Sequence, residues 1–161
     1  MHSNIIELSR TPVPAPMRAK AGHMPDWFYE QVCDYAVNPD PVQREGLIRQ
    51  FYKQFGNLCT QNGDEITISP QIREIHFRNR YDCFKAAAET LAQTDYDVFT
   101  GITVSPAFHL ALKGLNDSYE GKRDIYIYLP ESGELVTLDR WLRTADFSRP
   151  FYIGGTINYH C

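Results

Sequence analysis

One group of basic and aromatic residues has the types and the spacing that nucleic-acid binding uses. His76 and Arg78 alternate with apolar neighbours between residues 72 and 80, which predicts a strand with one polar face. Tyrosines alternate with isoleucines in the same way over residues 125–129. On neighbouring strands, these rings and cations would form an open face on which single-stranded nucleic acid stacks its bases and pairs its phosphates. The predicted platform consists of His76, Arg78, Arg80, Lys122, Arg123, Tyr126 and Tyr128.

A pair of carboxylates offers a second kind of chemistry. Asp95 and Asp97 lie two residues apart, so both would face the same side of an extended segment. Such a pair can hold a divalent ion for phosphoryl transfer, with Glu74 as the candidate third carboxylate. The competing interpretation is a solvated turn, in which aspartate side chains accept hydrogen bonds from the nearby backbone. The turn interpretation is favoured, because aspartates are so frequent in turns.

Cys83 is the candidate nucleophile of the chain. It lies near the start of a predicted helix, where the dipole favours a thiolate, and His76 or His109 would serve as its base. Cys33 and Cys83 also fit apolar helical patterns, which favours small buried hydrophobic residues instead. Metal binding usually needs closely spaced ligand pairs, and His160-Cys161 is the one adjacent pair. We therefore predict no metal site and no cofactor.

Familiar catalytic motifs are missing from the sequence. It contains no Gly-x-Ser-x-Gly, no phosphate-binding Gly-x-x-x-x-Gly-Lys, no Gly-x-Gly-x-x-Gly and no His-Glu-x-x-His. The sequence therefore leans away from an enzyme. A small enzyme that uses the carboxylate pair or Cys83 stays as an alternative, and single-stranded nucleic-acid binding is the other.

The aromatic content favours a protein-binding surface. The 161 residues include 2 Trp, 10 Tyr and 9 Phe, more than a core of this size requires. Large, stiff, amphipathic rings are enriched at protein interfaces. Helices that are apolar on more than one face need a second partner besides the sheet, and self-association is the simplest source of one. The predicted protein interface consists of Trp27, Phe28, Tyr29, Tyr52 and Phe55.

Charge and hydropathy limit the class of protein. Sixteen Lys and Arg against twenty Asp and Glu give a net charge of −4. This balance excludes a strongly basic nucleic-acid coat and a strongly acidic DNA mimic. No apolar run approaches the ~20 residues that cross a bilayer, and no export signal is visible. The leading prediction is a non-catalytic cytoplasmic binding or adaptor module that acts through protein–protein contacts, with no membrane association and with any nucleic-acid binding weak.

The proline distribution predicts the domain boundaries. Pro12, Pro14 and Pro16 alternate with small or apolar residues, so residues 1–24 are predicted to be a flexible Pro-rich tail. Residues 25–161 are predicted to be a single α+β domain. Apolar spacing near 3.6 residues predicts a helical hairpin over residues 25–57.

The remaining residues, 64–161, are predicted to form a sheet with helices. From Ile72 onward the predicted order is βαββαβ, with strands near residues 72–80, 98–104, 125–129 and 151–159. That order is the split-βαβ or ferredoxin-like pattern, an antiparallel sheet with helices on one face. Residues 105–122 would be a helical insertion, and Gly154-Gly155 predicts a bulge or a close backbone approach.

Overall fold

In a computed structural model, which describes residues 2–121 and 125–160, the chain forms a mixed α+β fold, and the predicted fold class is confirmed. The described strands are β1 His2–Ser9, β2 Tyr35–Val37, β3 Cys59–Asn62, β4 Glu65–Ile68, β5 Ile125–Leu129, β6 Glu134–Thr137 and β7 Phe151–His160. The described α-helices are α1 Asp26–Gln31, α2 Pro41–Lys53, α3 Ile72–Ala92, α4 Tyr96–Phe99, α5 Pro106–Glu120 and α6 Leu138–Thr144. Short 3-10 turns occur at Ala15–Met17, Ala21–His23 and Gly56–Leu58.

One open, mixed sheet contains all seven described strands. Its order is β3-β4-β7-β1-β5-β6, and β1 runs parallel to β5 while the other pairings are antiparallel. The long strand β7 pairs along one edge with two strands in turn. Its first residues, Phe151 and Tyr152, pair with β4, and residues 158–160 pair with β2.

The N-terminal residues form the central strand β1 in place of the predicted flexible tail. Ile5, Ile6 and Leu8 are all buried, although successive side chains point to opposite faces of a strand. A nearly continuous apolar run is typical of a strand that is covered on both faces. The proline-rich stretch begins only after this run, and even there Ala19 and Met24 are buried against the sheet.

The chain divides into two compact units, where the sequence predicts one domain. The first, called the sheet unit, comprises Met1–Ile72 and Arg123–Cys161. The second, called the helical unit, comprises Arg73–Lys122 and contains nearly all of α3 together with α4 and α5.

The predicted helical hairpin over residues 25–57 is replaced by helix, strand and helix. On one face of the sheet, Phe28 of α1 packs edge-on against Tyr126 and Tyr159. The other face carries α2 and α6, where Phe55 contacts Trp141. A capping box begins α2: the Asp40 side chain accepts a hydrogen bond from the Gln43 amide at 2.8 Å, and the Gln43 side-chain oxygen accepts one from the Asp40 amide at 3.1 Å.

Two of the predicted strands are wrong, and with them the βαββαβ order on which the ferredoxin-like prediction rests. Residues 72–80 belong to the 21-residue helix α3, and residues 98–104 contain the end of α4 and a turn. A short alternating apolar pattern also fits part of a helical period, and α3 contains neither Gly nor Pro to interrupt it. Gly101, with φ at +79°, adopts a left-handed turn conformation where a strand was predicted.

None of the described helices combines the length and the hydropathy that a membrane crossing requires.

Candidate functional site

The five residues of the predicted protein interface divide between core and surface. Phe28 and Phe55 are buried in the two faces of the sheet unit. Trp27 and Tyr29 are partly exposed, and the Tyr29 hydroxyl donates to the Ala21 carbonyl oxygen at 2.6 Å. Tyr52 is half-buried, and its burial is the main cause that raises the pKa of its hydroxyl above the ordinary value. These residues therefore do not form one exposed patch.

The predicted nucleic-acid platform is not assembled on one sheet face. His76 and Arg78 lie on helix α3, where Arg78 pairs with Glu74 one turn earlier. Arg80 donates to two carbonyl oxygens of α5, those of Ser118 and Tyr119, at 3.0 and 2.9 Å.

The tyrosines of that platform lie on β5, within the sheet unit. Tyr126 is buried beneath Phe28 of α1, and Tyr128 is half-buried beside it. Lys122 and Arg123 lie outside the described residues. The ring that was expected to stack on bases is thus part of the core.

The candidate catalytic residues have other roles or surroundings. Asp95 caps α4 by accepting the Val98 amide at 2.9 Å, as the turn interpretation predicts. Glu74, the proposed third carboxylate, pairs with Arg78. Cys83 is exposed, so the prediction that it is buried is wrong, whereas Cys33 is buried as expected.

The metal prediction concerns the histidines and cysteines. Among the described residues, no three His, Cys, Asp or Glu side chains are grouped so that they could hold a metal ion. Cys161, half of the terminal ligand pair, lies outside those residues. Burial raises the pKa of the Cys59 thiol, which disfavours a thiolate there.

A buried carboxylate fastens the N-terminal segment to the sheet. The Glu7 carboxylate accepts hydrogen bonds from the backbone amides of Ala19 at 2.7 Å and Gly155 at 2.5 Å. The pairing of β1 and β7 shifts register here, so Gly154 and Gly155 together oppose Glu7, and the predicted bulge is confirmed. A side chain on Gly154 would collide with Glu7, and one on Gly155 with the Ala19 backbone. This buried carboxylate is structural.

A second polar cluster lies at the edge of the same unit. Asp64 accepts from Arg18 at 2.7 Å and from Arg44 at 3.4 Å, and Arg44 also donates to the Gly154 carbonyl oxygen at 2.8 Å. These bonds join the N-terminal segment, helix α2, the β3–β4 turn and strand β7. The cluster ties chain segments together and presents no nucleophile.

The helical unit presents the most distinctive surface of the molecule. Among its described residues, 73–121, the buried side chains are those of Ala87 and Ala111. Six large apolar side chains between residues 96 and 112 each expose 46–80% of their surface. They are Tyr96, Phe99, Ile102, Val104, Leu110 and Leu112. Single exposed apolar residues are ordinary on a protein surface, whereas this short stretch of chain carries six of them.

Three of these six side chains, those of Tyr96, Phe99 and Leu112, line an open groove. Its volume is about 450 Å³, and its walls come from the end of α3, from α4 and from α5. The lining residues are Leu91, Thr94, Asp95, Tyr96, Phe99, Phe108 and Leu112. The carboxylate of Asp95 is engaged with the Val98 amide, so the groove offers mainly apolar contact.

This surface was missed by the sequence analysis. Val98, Ile102 and Val104 alternate with polar or small residues, which is the same signal that a half-buried strand gives. The signal in the sequence that argues against a strand is Gly101, which interrupts the alternation and indicates a turn.

Three comparisons with known proteins were negative. No protein-family model matches the chain, and no curated protein or solved structure is significantly similar to it.

Proposed function

We propose that this protein is a non-catalytic protein-binding module whose docking surface is the apolar face of the helical unit, residues 96–112. The observation that carries the proposal is the contrast between exposure and burial in that unit. Tyr96, Phe99, Ile102, Val104 and Leu112 each expose 46–80% of their surface, while the buried side chains among the described residues of the unit are two alanines. Covering that face with another protein would remove apolar surface from water, which is favourable by roughly 25 cal/mol of free energy for each Å² buried.

A protein partner fits this surface better than single-stranded nucleic acid does. Nucleic acid needs cations around its aromatic platform, whereas the charged side chain among the residues that line the groove is the carboxylate of Asp95. The groove also mixes the aliphatic side chains of Leu91 and Leu112 with its aromatic rings, and this mixture complements apolar residues of a protein. The proposal therefore keeps the protein-binding function that the composition favours and moves its site from Trp27 and Tyr29 to the helical unit.

The proposal includes a cytoplasmic location. Cys33, Cys59 and Cys83 are thiols and not disulfides among the described residues, which is in keeping with a reducing compartment.

Site-specific photo-crosslinking in the cells that make the protein tests the proposed function. A photoreactive amino acid in place of Tyr96 should form a protein adduct, because Tyr96 lines the groove and exposes 75% of its surface. The matched control position is Val42, an exposed apolar residue on α2 in the sheet unit. Introducing Phe99→Ser beside the probe should abolish the adduct. Equal adducts at positions 96 and 42, or an adduct insensitive to Phe99→Ser, would overturn the proposal.

A further inference from the structure

We propose that the protein docked on the helical unit is a second copy of this chain. In this dimer, the turn that carries Ile102 and Val104 in each copy inserts into the groove of the other. This inference rests on the proposed function and adds the identity of the partner and the geometry of the contact.

The first argument is that the helical unit contains both an exposed apolar turn and an open apolar groove. Ile102 and Val104 are among the most exposed apolar side chains of the described residues, and neither lines the groove of its own copy. The groove, by contrast, is open and lined by the aromatic and aliphatic side chains of α3, α4 and α5. A surface that contains both a knob and a hole is self-complementary, as a two-fold interface requires.

The second argument is the available area. Tyr96, Phe99, Ile102, Val104 and Leu112 each expose 46–80% of their surface, together on the order of 500 Å² per copy. A standard stable interface buries about 800 Å² per partner, of which somewhat more than half is apolar. The exposed turn and the groove thus supply about the apolar share of one standard interface.

The third argument is charge. Residues 73–122 contain six Lys or Arg and seven Asp or Glu, a net charge of −1, so two copies approach without strong repulsion. Lys113 follows Leu112 and Asp97 follows Tyr96 along the chain, so both signs of charge are adjacent in sequence to residues that line the groove. Pairing of such opposite charges across a two-fold axis would favour a second copy over a partner of uniform charge.

Sedimentation velocity on the purified full chain tests this dimer. The wild-type chain is expected to show a monomer–dimer equilibrium below about 100 μM. Ile102→Ser/Val104→Ser should raise the dimer Kd at least about tenfold, because both insertions lose their apolar side chains. These residues lie on an exposed turn, so the variant retains the packing of α3 and α5. Val42→Ser, the matched control on the sheet unit, should leave the Kd unchanged.

A mixing experiment distinguishes specific insertion from general adhesion of apolar surface. Leu112→Ser alters the groove and leaves the turn intact, whereas Ile102→Ser/Val104→Ser alters the turn and leaves the groove intact. A dimer of either variant with itself has no contact between an intact turn and an intact groove. A mixed dimer has one such contact, in which the turn of Leu112→Ser enters the groove of Ile102→Ser/Val104→Ser. The mixed dimer should therefore form about tenfold more tightly than either variant associates with itself.

Three outcomes would overturn the dimer. They are a wild-type chain that stays monomeric at 100 μM, a turn variant that dimerises as well as wild type, and variants that gain nothing on mixing. A monomeric wild type whose position 96 still crosslinks to a different protein in cells would refute the dimer and leave the proposed function standing. The absence of both the dimer and the crosslink would refute the two proposals together.

Discussion

The sheet unit and the helical unit use their apolar residues in opposite ways. In the sheet unit, Trp141, Phe28 and Tyr159 are fully buried, and both faces of the sheet are covered. In the helical unit, the described residues bury Ala87 and Ala111 while Phe99 and its neighbours face solvent. A unit of about 50 residues is near the lower limit at which one core gives stability. The contrast indicates that the sheet unit is stabilised from within, whereas the helical unit has apolar surface left for a partner.

Polar groups join distant segments in both units. Within the sheet unit, Glu7 and Asp64 join segments that are distant in sequence. In the helical unit, Arg80 joins α3 to the carbonyl oxygens at the end of α5. The Glu74–Arg78 pair connects residues one helical turn apart and is exposed, a type of pair that contributes well under 1 kcal/mol. The contrast between the units therefore lies in their apolar side chains and not in their polar contacts.

The largest expected effect is that of removing a large core side chain from the sheet unit. Trp141 contacts Phe55, Phe147 and Phe151, so Trp141→Ala should lower the free energy of unfolding by about 3–5 kcal/mol. The control is Phe99→Ala in the helical unit, which should cost less than about 0.5 kcal/mol because that ring is exposed. Denaturant unfolding followed by circular dichroism at low protein concentration measures both. Similar costs for the two variants would contradict the contrast between the units.

A smaller effect is expected from a methyl group at the bulge. The Cβ of Gly155→Ala would collide with the Ala19 carbonyl oxygen, a backbone atom that cannot move without displacing the N-terminal segment. We expect a loss of about 2–3 kcal/mol in unfolding free energy.

The matched control for this variant is Gly46→Ala, in the middle of α2, where an added Cβ meets nothing within 4 Å. Alanine there should stabilise the protein by up to about 1 kcal/mol, because glycine is a poor helix former. Chemical denaturation of the two variants checks whether Gly155→Ala lowers the free energy of unfolding and Gly46→Ala raises it. A Gly155→Ala protein as stable as wild type would show that the N-terminal segment is loosely held.

The smallest effect concerns pH. Burial alone raises the pKa of Glu131, but hydrogen bonds from the Arg10 amide at 2.5 Å and the Ser9 hydroxyl at 2.8 Å outweigh it, so the pKa is lowered overall. A lowered folded-state pKa contributes stability above the unfolded value of about 4.3, and that stability is lost as the pH falls through the folded value.

Glu131→Gln should therefore lower the free energy of unfolding by less than about 1 kcal/mol at pH 7, since the carboxylate is largely exposed to solvent. Once Glu131 of the wild type is protonated, the two proteins should be equally stable. Thermal unfolding between pH 2.5 and 7 measures the difference. Glu74→Gln in the helical unit is the control and should change stability by less than about 0.5 kcal/mol. A cost for Glu131→Gln that persists at pH 2.5 would exclude the carboxylate as its source.

Local features such as helix caps and β-bulges can be predicted from the sequence, because a few residue types strongly favour them. Asp40, Ser105 and Thr137 are residue types that commonly cap helices, and each caps the helix that follows it, while Gly154-Gly155 forms the predicted bulge. These features depend on neighbouring residues alone, so no knowledge of the tertiary fold is needed.

The topology and the site depended on distant contacts and were not predictable in this way. Residues 72–80 and 98–104 alternate over too few positions to separate a strand from part of a helix. The strand β1 is identified by its place between β5 and β7, both more than 100 residues later in the sequence. The exposed surface of the helical unit consists of apolar residue types that also form protein cores. Only the tertiary structure shows whether such a residue is buried or exposed.

Amide hydrogen exchange of the full chain at low and high protein concentration tests most directly whether the helical unit supplies the docking surface for a second copy. At low concentration, we expect amides of residues 73–121 to exchange much faster than those of β1, β5 and β7, which lie in the well-packed core. At high concentration, protection should rise at residues 91–112 and stay unchanged in the central strands. Protection that is independent of concentration, or that rises in the sheet unit instead, would contradict the proposal.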